Sequence, residues 1–126
     1  MADAKRYEKG LEILSKVYAG DVVTPPRGTA FTDIMLETLF AEVWTRDVLS
    51  MRDRRLLLLG SILTQGENMT FGIQARAALK NGELTAEELR EVLVFLVHYV
   101  GYPRAASVNM QLEQVIADFQ AEDNED

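Results

Sequence analysis

Polar side chains able to bind small anions or move protons gather at helix ends between Glu67 and Arg104. They are Glu67, Thr70, Gln74, Arg76, His98, Tyr99, Tyr102 and Arg104. His98 is the only histidine. Imidazole is the side chain best suited to acid–base work near neutral pH. Near the end of an apolar helix, His98 reads equally as a partly buried residue whose charged form suits a helix C-terminus. Tyr99 and Tyr102 stand beside it and can position an oxygen atom. Arg76 and Arg104 can hold a carboxylate by paired hydrogen bonds, although Arg76 also fits the solvated face of its helix. Gln74 can orient a carbonyl oxygen or serve as a spacer at a subunit contact. Earlier in the chain, Glu42 can act as an acid or base or pair with an arginine. Trp44 is a packing anchor or a platform for a substrate. A single histidine without neighbouring carboxylates offers no metal site. No glycine-rich phosphate loop or nucleophile elbow occurs.

The elements that must position these groups are helices. The stretch Leu49 to Arg104 holds three of them: Ser50 to about Thr64, about Met69 to Lys80, and Thr85 to Val100. Ser50 can cap the first, with Asp53 adding favourable charge. Asn81-Gly82 closes the second, since glycine takes the left-handed conformation of a helix end. Thr85 and Glu88 form a capping box for the third. Gly101 stops it, and Pro103 suits the first turn of the next. Arg52, Arg54 and Arg55 oppose the dipole of the helix they begin and call for carboxylate partners, with Glu37, Glu42 and Glu67 as candidates.

Outside that stretch, Tyr7, Leu11, Leu14, Val17 and Tyr18 recur at helical spacing, predicting a helix from about Asp3 to Ala19. Val22 to Thr29, with adjacent prolines, is a connector. Phe31 to Trp44 is helical, with more apolar residues than one buried face needs. Ala105 to Phe119 forms the last helix, and the acidic tail beyond it is expected to fray. No strand pattern persists. The expectation is an all-α chain of about six helices, a single domain over residues 1–126 with its core between about 7 and 119.

The 126 residues carry a net charge of -7, which argues against a nucleic-acid partner. No cysteine is present, which excludes disulfides, thiolate metal sites and thiol redox chemistry. No apolar run approaches the length of a membrane span, and the N-terminus shows no apolar signal region. A cytoplasmic location is expected.

Several segments together resemble the carboxymuconolactone decarboxylase family, a relative of the alkyl hydroperoxidase D proteins. They are Ala41-Glu42-Val43-Trp44-Thr45-Arg46, Leu49-Ser50 with the arginines after it, Ala75-Arg76-Ala77-Ala78-Leu79-Lys80-Asn81-Gly82, Glu91-Val92-Leu93, and Tyr99-Val100-Gly101-Tyr102-Pro103. The similarity runs from about Tyr7 to Ile116. It implies an alkyl hydroperoxidase D-like helical fold that assembles as a ring, as a homo-oligomer such as a trimer or hexamer. The excess apolar surface of the second helix fits such assembly.

The hydroperoxidase branch carries a pair of cysteines and a histidine where this chain has Glu67, Thr70 and Gln74. Thiol peroxidase chemistry is therefore excluded. The decarboxylase branch keeps that histidine, and acts on a carboxylated lactone from aromatic-ring degradation. The resemblance implies a lyase or isomerase acting on a small carboxylated lactone or related carboxylate, by acid–base chemistry without a cofactor. In this reading Glu67 and His98 are the catalytic candidates, His98 replacing the proton carrier lost at Gln74. Gln74, Arg76, Tyr99, Tyr102, Arg104, Glu42 and Trp44 are the substrate-binding candidates. The alternative is a non-catalytic, oligomeric small-molecule-binding or scaffold protein on the same fold.

Overall fold

The computed structural model describes residues 2–125. The described chain is all-helical, as the resemblance implies. It comprises α1 (Ala2–Val17), α2 (Ala30–Ile34, continuing without a break as a π-helix over Met35–Val43), α3 (Met51–Gln65), α4 (Asn68–Lys80), α5 (Ala86–Val100) and α6 (Tyr102–Glu125). No described helix is long and apolar enough to cross a membrane. Packing divides the chain into two compact units, the first ending at Met51 and the second beginning at Arg52.

In the first unit, α1 lies along the π-helical part of α2. Ile13, Leu14 and Val17 from α1 meet Leu36 and Phe40 in a small core, flanked by Tyr7, Tyr18 and Trp44. The approach is close because position 10 has no side chain. A Cβ on Gly10 would lie 2.0 Å from the Leu36 carbonyl oxygen. The sequence spacing anticipates the helix but not its wider winding, in which the Trp44 N–H donates to the Leu39 carbonyl five residues back, at 2.9 Å. Leu36 and Phe40 face the core, whereas Phe31, Ile34, Leu39 and Val43 are exposed. These exposed side chains, with Met35 and Thr38, line an open apolar depression.

In the second unit, α4 and α5 pack on α6. Leu59, Leu63, Phe71, Ala75, Ala78, Leu89, Val108, Leu112 and Ile116 form its core. Local signals at its helix ends act as the sequence anticipates. Thr85 accepts from the Glu88 N–H at 3.1 Å, and Glu88 accepts from the Thr85 N–H at 2.9 Å. Gly82 sits at φ +70° after α4, and Gly101 at φ +104° between α5 and α6. The Gly101 carbonyl accepts from the Ala105 N–H, so one residue both ends α5 and starts α6.

Two expectations need correction. The tail is helical to Glu125, beyond the expected end near Phe119. Arg76 of α4 holds Glu122 there in an ion pair, and Gln114 donates to Asp118 at 2.9 Å along the helix. Two arginines of α3 also find other partners. Arg52 meets Glu88 at 2.7 Å and Arg55 meets Glu83 at 2.8 Å. Glu42 and Glu37 instead serve Arg6, at 2.6 Å, and Arg27, at 3.9 Å. Residues at the start of α3 thus face the start of α5 and the turn before it, which sequence proximity does not reveal.

Candidate functional site

The sharp reversal at Gly101 folds α6 back along α5 and leaves a solvent-open groove of about 470 Å³ between them. One wall is a helical stripe of α5, comprising Arg90, Leu93, Val94, Val97 and His98. The other is a stripe of α6, comprising Tyr102, Ala105, Ala106, Asn109 and Glu113. The three- and four-residue spacings put each set on one helix face. The small side chains of Ala105 and Ala106 keep the space open. The floor is apolar, and the polar groups stand at the two ends.

At the Gly101 end are His98 and Tyr102. His98 is exposed, with Nδ1 3.3 Å from the Phe95 carbonyl oxygen one turn back. At the far end, Arg90 donates to Glu113 from Nε and Nη2, both at 2.9 Å. This two-point contact holds the Glu113 carboxyl below its ordinary pKa and raises the Arg90 guanidinium. Each side chain remains nearly half exposed, so neither is locked into the pair.

Below the surface of the same unit lies a second polar cluster. Arg55 is wholly buried and donates to both oxygens of Glu83, at 2.8 and 3.0 Å. Its remaining guanidinium nitrogen donates to Gln74 Oε1, and Gln74 is buried too. Asn81 Nδ2 donates to Glu83 at 3.1 Å. The cluster ties α3, α4 and the α4–α5 turn together. A buried charge is tolerated only with such complete pairing.

The structure places the sequence-derived candidates in several settings. His98 and Tyr102 share the groove. Tyr99 is one residue beyond it, exposed and tilted against Phe95 at 5.6 Å between ring centroids. Glu67 is exposed at the residue preceding α4 and makes no side-chain cap there. Arg104 turns away from the groove, donates to the Thr64 carbonyl and covers Gly66. Arg76 is engaged by Glu122, and Gln74 by Arg55. Glu42 and Trp44 belong to the first unit, where Glu42 pairs with Arg6 and Trp44 stacks on Phe40 at 6.3 Å. Among the described residues, no group of three or more histidine and acidic side chains is placed to hold a metal ion.

Sequence reasoning did not single out Arg90, Asn109 and Glu113. A signal existed: Arg90, Val94 and His98 are four residues apart, and Tyr102, Ala106, Asn109 and Glu113 continue the pattern after Gly101. Reading both helices as one hairpin would have paired the stripes.

Residues 29–113 match the model of the carboxymuconolactone decarboxylase family. The chain is 27% identical to 4-carboxymuconolactone decarboxylase of Acinetobacter baylyi, over 94% of its own length and 92% of that protein. It is also 27% identical to nitrosuccinic acid decarboxylase of Metarhizium robertsii, over 89% of its length and 82% of that protein. The matched region takes in α2 through the groove as far as Glu113, and on that match the chain belongs to the carboxymuconolactone decarboxylase family.

Proposed function

We propose that the protein is a decarboxylase of a small organic acid and that the α5–α6 groove is its substrate site. The observation that carries this reading is the placement of the only histidine, with Tyr102, at one end of an apolar groove of small-molecule size. Support for the reaction class comes from the two relatives, both named as decarboxylases. Their named substrates are a carboxylated lactone and a nitro-substituted diacid. Each joins a carboxylate to an electron-withdrawing group.

The chemistry asks little of the protein. The bond from carbon to carboxylate breaks, carbon dioxide leaves, and the electron pair moves into the lactone or nitro group of the substrate. That sink lies in the substrate, so the reading needs no cofactor. Leu93, Val94, Val97, Ala105 and Ala106 set an apolar wall against the carboxylate, which favours its departure as neutral carbon dioxide. Tyr102, beside His98, donates a hydrogen bond to the oxygen that gains charge. Protonated His98 delivers the proton to carbon and regains one from solvent through the open groove. Glu67, the other acid–base candidate of the sequence, has no place in the groove lining and moves no proton in this reading.

The test is carbon dioxide release from 4-carboxymuconolactone and from nitrosuccinate by the purified protein, with His98→Gln and Glu67→Gln variants. We expect His98→Gln to lose about 10²-fold or more in turnover and Glu67→Gln to lose little. Equal turnover in His98→Gln and the parent protein would overturn the role of His98.

A second reading is a non-catalytic small-molecule-binding protein on the same fold. It is favoured by Gln74, which stands where the family resemblance puts a histidine and is held by buried Arg55. Saturable binding of either acid without carbon dioxide release would support it. In both readings the chain works as a homo-oligomer, with the exposed Phe31, Ile34, Leu39 and Val43 face covered by another copy. Phe31→Asp is expected to yield a smaller species on sizing by light scattering.

A further inference from the structure

We propose that Arg90 is the receptor for a second carboxylate of the substrate, and that Glu113 occupies that receptor until a diacid displaces it. The proposal rests on the groove being the substrate site. Arg90 is the only permanent cation among the described residues lining the groove, in a chain whose net charge is -7. It stands at the end opposite His98. Eight residues of α5 separate the two, about 12 Å at about 1.5 Å per residue. Both side chains line the groove, so a molecule with an acid group near each end can meet both.

The contact geometry is that of carboxylate recognition. Arg90 presents Nε and Nη2 to the two oxygens of Glu113, both at 2.9 Å. A guanidinium fork of this kind is matched by any carboxylate. Glu113 therefore acts as an internal stand-in for the ligand. The pair is nearly half exposed on both sides, so it is held weakly and exchanges partners readily. When a substrate carboxylate takes the fork, Glu113 turns to solvent and remains ionised.

Arg76 and Arg104, the cations that the sequence brings forward as carboxylate anchors, are engaged elsewhere, by Glu122 and the Thr64 carbonyl. Arg90 takes over that task by position. It selects substrates by their second acid group, while His98 and Tyr102 address the reacting end.

The test uses the protein and two probes, adipate and its monomethyl ester, titrated against methyl resonances of Val94, Val97, Ala105 and Ala106. Adipate is expected to shift these methyls and to bind about tenfold more tightly than the monoester. Arg90→Gln is expected to abolish that preference. Glu113→Gln is expected to tighten adipate by about two- to fivefold, because the internal competitor is gone. Methyl shifts with equal affinity for both probes, or a preference that survives in Arg90→Gln, would overturn the role of Arg90 while leaving the groove as the site. Weaker adipate binding in Glu113→Gln would overturn the displacement. Shifts confined to methyls outside the groove would overturn the groove reading itself, and this proposal with it.

Discussion

Arg55 and Glu83 are joined through two hydrogen bonds, with the Arg55 side chain fully buried and the Glu83 side chain only 8% exposed. The two residues lie 28 positions apart, so their contact fixes the α4–α5 turn against α3. Gln74 completes the set from α4.

Breaking this pair from one side leaves a buried carboxylate and a buried amide without their partner. Arg55→Met is expected to cost about 3–5 kcal/mol. The double variant Arg55→Met with Glu83→Gln should recover part of that loss, since an amide is easier to bury than a charge. Urea unfolding followed by circular dichroism measures both. A loss below about 1 kcal/mol in the single variant would show that the pair does not hold the fold.

Gly10→Ala is expected to disrupt the first unit. Its Cβ would stand 2.0 Å from the Leu36 carbonyl oxygen, a backbone atom that cannot swing aside. Overpacking of this kind costs about 3 kcal/mol or more when the obstacle is backbone. Quenching of the Trp44 fluorescence change during unfolding, compared with the parent protein, reports on this unit directly. An unchanged midpoint would mean that α1 moves away from the π-helical segment at little cost.

Acid should weaken the second unit through Glu88 and Glu113. Glu88 is held below the ordinary carboxylate range first by its hydrogen bond from the Thr85 backbone and next by Arg52. Glu113 is held down by Arg90. A carboxyl with a depressed folded pKa stabilises above its unfolded value, near about 4.3, and the gain is lost as pH falls through the folded value. Stability should therefore be flat from about pH 7 to about pH 5 and fall below about pH 4.3. Glu113→Gln should flatten part of that fall. An identical acid limb in the variant would dismiss the contribution of Glu113.

The ion pair of Arg76 with Glu122 is expected to order the last turns of α6. Acidic residues at a helix C-terminus oppose the dipole, and Glu122, Asp123 and Glu125 lie there. Glu122→Gln is expected to leave global stability within about 1 kcal/mol while speeding amide exchange over residues 119–125. Unaltered exchange rates would mean that the ion pair does not order the tail.

Much of the fold was legible because its signals are local. The Thr85 and Glu88 capping box, Asn81-Gly82 and Gly101-Tyr102-Pro103 each act within a few residues, and each falls where the spacing puts it. The π-helical winding of Met35–Val43 was not legible, since apolar spacing at one helical face reads alike for both windings over so short a segment. The end of α6 was missed because the residue that its Glu122 meets, Arg76, is 46 positions away. The candidate site divides in the same way. His98 and Tyr102 flank a local turn and converge as their spacing implies. Gln74 found Arg55 and Arg104 found Thr64 through contacts between distant segments. The partnership of Arg90 with Glu113, 23 positions apart, required knowing that α6 returns along α5.

That return has an evolutionary consequence. Every residue lining the groove falls in one unbroken run from Arg90 to Glu113, while the Arg55, Gln74 and Glu83 cluster that braces the unit precedes that run entirely. Under the proposed reading, the exposed groove positions and the Arg55 brace lie in separate stretches of the sequence, while Leu93, Val97, Val108 and Leu112 between those positions belong to the core. Under that reading a lineage can change the exposed positions Arg90, Val94, Ala106 and Asn109 and explore new acids without touching either the core or the brace.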